Sequence, residues 1–186
     1  LQDAPAKFVL IGLSMGGYIA FEILRQAPER VVGLALLDTS ARPDTPEATE
    51  NRLKAIELAQ QGKMRMAVDF SYPRSVHPSK QHDKELRSIV HLMAQEVGVQ
   101  GFVNQQTSII GRVDSRPTLA QISCPTLVLV GDSDALTPPE LHQEIVQGIG
   151  ENAQLQVIEG SGHISTLEQP EAVTQALQNW LSGVLK

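Results

Sequence analysis

The chain has 186 residues, 41% of them hydrophobic and 19% charged, with a formal net charge of −6. That length builds one domain with a sizeable core. Its acidic balance and scattered Lys and Arg exclude a nucleic-acid or anionic-membrane binder, and its one cysteine, Cys124, excludes an intrachain disulfide and a thiolate metal cluster.

Cys124 lies just before an apolar run and reads as a small core residue, which fits a reducing cytoplasm, the expected location. No apolar run reaches the roughly 18 residues of a spanning helix, so no membrane partner is expected.

In chain order, Lys7 to Leu13 predict a buried strand, apolar after its opening lysine. A helix from about Gly16 to Ala27 places Ile19, Ala20, Ile23, Leu24 and Ala27 on one face and stops at Pro28. A second strand, Val31 to Leu37, has no polar side chain. Strand, helix and strand form a βαβ unit. From Asp38 to about Ser123 the pattern turns helical. Thr45 caps a helix that opens at Pro46 and runs to about Gln61. Met64 to Phe70 make a short helix, and Ser71 to Gln81, with Pro73 and Pro78, a loop. Leu86, Ile89, Val90, Met93 and Val97 recur at helical spacing, and a further helix runs from about Val99 to Ile110. Strands return at Pro125 to Gly131 and at Gln154 to Ile158, each followed by a helix, from about Pro138 to Ile149 and from about Pro170 to Leu185.

The first strand leads into Gly12-Leu13-Ser14-Met15-Gly16. One reading of this turn makes Ser14 a helix cap. The other makes it a nucleophile. Glycines on both sides let strand and helix approach closely while Ser14 takes a strained conformation. Its hydroxyl then stands above the strand end, with the Met15 backbone N–H aimed at whatever it attacks. The strand and helix context favours the nucleophile. This G-x-S-x-G turn resembles the nucleophile elbow of the α/β-hydrolases.

A serine nucleophile needs a base and an acid to orient the base. His77, His82, His91 and His142 read as surface or core-edge residues. His163 alone follows a strand end, in Gly160-Ser161-Gly162-His163. The turn after the third strand offers Asp132 and Asp134. The resemblance, through a G-x-x-D pattern with a later proline (Gly131, Asp134, Pro138), makes Asp134 the acid and leaves Asp132 to stabilise the turn. Asp38, after the second strand, is the alternative acid, because some members of the family keep theirs there. Ser14…Asp134…His163 is the family's order. Residues 123–131, Leu136-Thr137-Pro138 and 162–170 add to the resemblance, which covers nearly the whole chain outside the helical block.

The resemblance implies an α/β fold with a mostly parallel sheet of about four strands. Residues 1–38 and 124–186 are its core parts, and 39–123 a helical cap insertion. It implies a serine hydrolase that cleaves an ester-like acyl bond of a small-molecule substrate through Ser14, His163 and Asp134, with Met15 in the oxyanion hole and no metal or organic cofactor. The same scaffold also serves acyltransferases, carbon–carbon bond hydrolases, haloperoxidases, lyases and non-catalytic receptors. Leu86, Ile89, Met93, Phe102 and Met66 are candidates for the pocket lining, though packing the block onto the sheet is the expected role of most. Family members carry about four strands before the elbow, and a loop there gives the second oxyanion donor. The chain is therefore expected to begin inside a longer protein, or to need a second chain or upstream segment to complete its sheet, and not to fold stably alone.

Overall fold

The computed structural model describes residues 1–184. Four strands form one sheet in the order β1 (Phe8–Leu13), β2 (Val31–Leu37), β3 (Thr126–Gly131), β4 (Ala153–Ile158), every neighbouring pair parallel. All four carboxyl ends therefore face one edge, where ligands bind in open α/β sheets.

Side chains alternate across the sheet, as the strand period requires. Leu34, Leu36 and Val128 point to one face, into a core with Ala20 and Phe21 of α1 (Met15–Gln26) and Ile145 and Ile149 of α5 (Pro139–Ile149). Ala35, Leu37, Leu127 and Leu129 point to the other, against Val173 and Trp180 of α7 (Pro170–Val184). Strands β2 and β3 are thus covered on both faces, which explains their uninterrupted apolar sequences. Strand β1 pairs only with β2 among the described residues, and its Ile11 is 50% exposed. Cys124 is partly buried and packs against the first core.

Between β2 and β3 lie three helices that pack mainly on one another: α2 (Pro46–Gln60), α3 (Met64–Ser75) and α4 (Lys84–Ile110). Thr45 caps α2 through its hydroxyl, which accepts from the Ala48 N–H at 3.1 Å. Helix α3 runs past the expected end at Phe70 and through Pro73, and the Tyr72 ring in its last turn is buried against Val76 and Leu86. The two helices expected over 86–110 meet end to end within α4 and are separated at Gly98, whose φ of 70° and ψ of 170° are non-helical. A one-turn helix, α6 (Ser165–Glu168), was not legible in the sequence.

The elbow depends on backbone proximity. A Cβ on Gly12 would overlap the Gly16 carbonyl and the Gly17 nitrogen, and backbone cannot give way as a flexible side chain does. Gly12→Ala is expected to destabilise the fold by about 2–3 kcal/mol, the scale of core overpacking. Urea unfolding of the full-length protein measures it, and an unchanged midpoint would refute the close approach.

Candidate active site

Three loops at the carboxyl edge of the sheet bring Ser14, His163 and Asp134 into one hydrogen-bonded line. Ser14 sits between β1 and α1 with φ 52° and ψ −111°, a conformation that costs a β-substituted residue of order 1–3 kcal/mol. It is held there because its N–H continues the ladder to the Leu37 carbonyl at 2.9 Å. Its side chain makes no capping hydrogen bond. Instead the hydroxyl lies 2.8 Å from His163 Nε2.

His163 Nδ1 lies 2.8 Å from Asp134 Oδ2. This carboxylate sets the tautomer: Nδ1 carries the proton and Nε2 accepts from the serine hydroxyl. Asp134 is buried and fixed by three further donors, the Leu136 and Thr137 N–H groups at 2.8 and 2.9 Å and the Thr137 hydroxyl at 2.7 Å. Burial alone would raise its pKa. The His163 hydrogen bond and charge, with the Thr137 donors, overcome burial and hold it below the usual carboxylate value. The Met15 N–H, at the first position of α1, is one of the donors a helix start leaves without an intrahelical partner.

Ser14 and His163 open onto a cavity of ≈ 600 Å³ bounded by α2, α3, α4 and the loops at the strand ends. Of the five side chains expected as lining, Phe102 takes that place. Leu86 is buried beneath α3, and Met66, Ile89 and Met93 face outward.

A profile of the alpha/beta hydrolase family matches residues 1–176. The chain belongs to the alpha/beta hydrolase family. It is 26% identical over 190 residues to the pimeloyl-[acyl-carrier protein] methyl ester esterase of Neisseria meningitidis, covering 98% of this chain and 59% of that protein. Among solved structures it is similar to a thermophilic esterase of Thermogutta terrifontis, solved with malate bound, at 39% identity and a TM-score of 0.89, covering 96% of this chain and 66% of that one. The enol-lactonase of Burkholderia xenovorans shares the fold at a TM-score of 0.83 and 24% identity, over 95% of this chain and 66% of that one. The chain thus spans about three-fifths to two-thirds of these relatives.

Within this alpha/beta hydrolase frame, Asp38, the alternative acid, makes no hydrogen bond to His163 among the described residues. Both its oxygens are engaged elsewhere: Oδ1 accepts from the Gly131 N–H at 3.0 Å, Oδ2 from the Ser165 hydroxyl at 2.5 Å and its N–H at 3.3 Å. Asp38 thereby ties the start of the acid loop to the segment just after His163. Its φ of 44° makes it, with Ser14, one of two non-glycine residues in the left-handed region among the described residues. Thr39 continues the frame. Its hydroxyl donates to the Ser14 carbonyl at 2.8 Å, and its N–H to His142 Nε2 at 2.9 Å.

His142 is therefore not the surface or core-edge residue the sequence suggested but is fully buried. Burial lowers its pKa to about 4, so it stays neutral and can accept from Thr39. Glu168 also escaped the sequence reading. It accepts from the Gly162 and His77 N–H groups, both at 2.7 Å, and so joins the histidine loop to the chain after α3. Asp132 accepts from Gly160 and Ser161, bracing the same loop rather than its own turn alone.

Burial raises the Asp38 pKa from an ordinary 3.8 to about 7, against the lowering effect of Ser165 and of His163. The folded protein thus holds this proton more tightly than the unfolded chain. The resulting stability is complete below about pH 4 and is lost as pH rises through about 7. Denaturation at about pH 5 and pH 8 should show the stability of wild type falling relative to that of Asp38→Asn across this window, the rise contributed by neutral His142 being common to both proteins. Equal slopes for the two proteins would contradict the assignment.

Proposed function

We propose that this chain carries the catalytic residues of a serine hydrolase that cleaves a carboxylic ester through an acyl-enzyme. The observation that carries the reading is the 2.8 Å and 2.8 Å succession of Ser14 Oγ, His163 Nε2, His163 Nδ1 and Asp134 Oδ2. The esterases among its relatives support it.

In this reading His163 Nε2 takes the serine proton as Oγ attacks the ester carbonyl. The imidazolium that forms is stabilised by Asp134, which stays ionised. Oxyanion charge is met by the Met15 N–H. His163 then gives its proton to the departing alkoxide. A water, deprotonated by the same nitrogen, attacks the acyl-enzyme and releases the acid. Helices α2–α4 act as a cap that roofs the substrate cavity. A second oxyanion donor and a neighbour for the exposed edge of β1 come from an upstream segment or a second chain.

A fluorophosphonate probe should label Ser14 of the full-length protein, and Ser14→Ala should abolish both labelling and turnover of a short-chain p-nitrophenyl ester. Asp134→Asn keeps the shape but favours the wrong imidazole tautomer, and is expected to lower kcat by about 10⁴-fold. Labelling that persists in Ser14→Ala, or turnover unaffected by Asp134→Asn, would overturn the mechanism.

A further inference from the structure

One wall of the cavity over Ser14 carries more cationic charge than its acids balance. Four arginines line the cavity, Arg42, Arg52, Arg74 and Arg112, against Asp44 and Glu47, in a chain whose net charge is −6; of the four, Arg42 is already paired with Glu144 at 2.9 Å. The Asp44 side chain is only 2% exposed and faces two guanidiniums, Arg112 at 2.7 Å and Arg52 at 3.2 Å. Thr49 donates to the same carboxylate at 3.0 Å. Both of its oxygens are thus in use.

The two arginines are 12% and 27% exposed for Arg112 and Arg52 respectively. Buried charges are costly unless paired, and one carboxylate pairs only one of them. Arg112 spends Nε on the Arg42 carbonyl and Nη1 on Asp44 and the Ile109 carbonyl, and lies over the Tyr18 ring at 4.5 Å. Arg52 spends Nη1 on Gln106 Oε1. Among the described residues, four donors are left without an acceptor: Nη2 of each arginine, the Tyr18 hydroxyl and the Gln106 amide nitrogen. All four side chains line the cavity. These four free donors, two of them on guanidiniums, match a planar anion that accepts at two oxygens. Apolar side chains elsewhere in the cavity, including Phe70, Phe102 and Leu136, suit a short methylene chain.

We propose that Arg52, Arg112, Tyr18 and Gln106 form a carboxylate subsite, and that the ester presented to Ser14 carries a free carboxylate at its far end, as in a monoester of a short dicarboxylic acid. The inference rests on Ser14 being the nucleophile. The reaction balances as monoester plus water giving the dicarboxylate, the alcohol and one proton.

The test compares monomethyl adipate with methyl hexanoate, which exchanges the carboxylate for a methyl group, using the full-length protein at low salt. Monomethyl adipate should have at least a tenfold higher kcat/KM, arising in KM. Gln106→Glu keeps the acceptor for Arg52 but places an anion in the subsite, and should reduce that ratio at least tenfold. Arg52→Gln should reduce it as well. Calorimetry on Ser14→Ala reads binding without turnover and should show the same preference. Equal handling of the two esters, with Ser14 still labelled by a fluorophosphonate, would overturn the subsite and leave the hydrolase reading standing. Preferential binding of the monoester without labelling would support the subsite and remove the hydrolase reading. Neither binding nor labelling would remove both.

Discussion

A buried carboxylate with no cationic partner among the described residues holds the edge of this sheet together. Asp38 is fully buried, and burial of an ionisable acid is unfavourable unless its oxygens are satisfied. Here the Gly131 N–H and the Ser165 N–H and hydroxyl satisfy them. Those donors belong to the two segments that carry Asp134 and His163. The next residue, Thr39, does the same for the elbow, taking the Ser14 carbonyl on one side and His142 on the other. Gly17 has no side chain where the Thr39 side chain packs. Two consecutive residues at the end of β2 therefore fix three loops that meet nowhere else in sequence. The left-handed backbone of Asp38 is the local strain that this arrangement holds in place.

This explains what the sequence made legible and what it did not. Ser14 and His163 each lie within two residues of glycines that follow an apolar run, so both could be singled out locally, whereas the choice of Asp134 over Asp132 came from the family resemblance. The parallel sheet was legible for the same reason, since strands covered on both faces carry no polar interruption. The frame was not legible. The partners of Asp38 lie about 90 and 130 residues away in sequence, and nothing local separates a carboxylate that orients an imidazole from one that orients backbone. His142 carries the helical spacing of any residue on α5, and only the packing of Thr39 against it reveals its burial. Glu168 reads as an ordinary charge before a proline until the Gly162 and His77 N–H groups converge on it. In the helical insertion, the break expected at Pro73 failed because the ring of Tyr72 anchors that turn from within.

The sheet is not equally protected along its width. Strands β2 and β3 are buried on both faces, whereas among the described residues β1 has one neighbour and a half-exposed Ile11. An unpaired strand edge presents a row of free backbone donors and acceptors. In this chain that edge belongs to the strand that ends in Ser14. The geometry of Ser14 is therefore held from the β2 side, through Leu37 and Thr39, rather than symmetrically. Under the proposed hydrolase mechanism, a neighbour on the other side of β1 would also adjoin the oxyanion position, so covering the edge and completing the site are one structural requirement.

Positioning and recognition are built from different parts of the chain. Ser14, Asp134 and His163 are fixed by strand ends and by buried polar residues that tolerate little change in shape. The proposed carboxylate subsite draws mainly on the helical insertion, with Arg52 in α2, Gln106 in α4 and Arg112 just after it, and adds Tyr18 from α1; Asp44, which pairs both arginines, precedes α2. The Arg112 guanidinium reaches back to the Arg42 carbonyl as well as to Asp44, so one ionic cluster ties the point where the insertion leaves the sheet to the point where it returns. A single arginine would neutralise Asp44 and close the insertion. The second adds desolvation cost without a matching acid, which makes little sense for closure alone. A substrate carboxylate supplies the missing charge at the moment the cavity fills, so binding the proposed ester and stiffening the insertion over it draw on the same pair of guanidiniums.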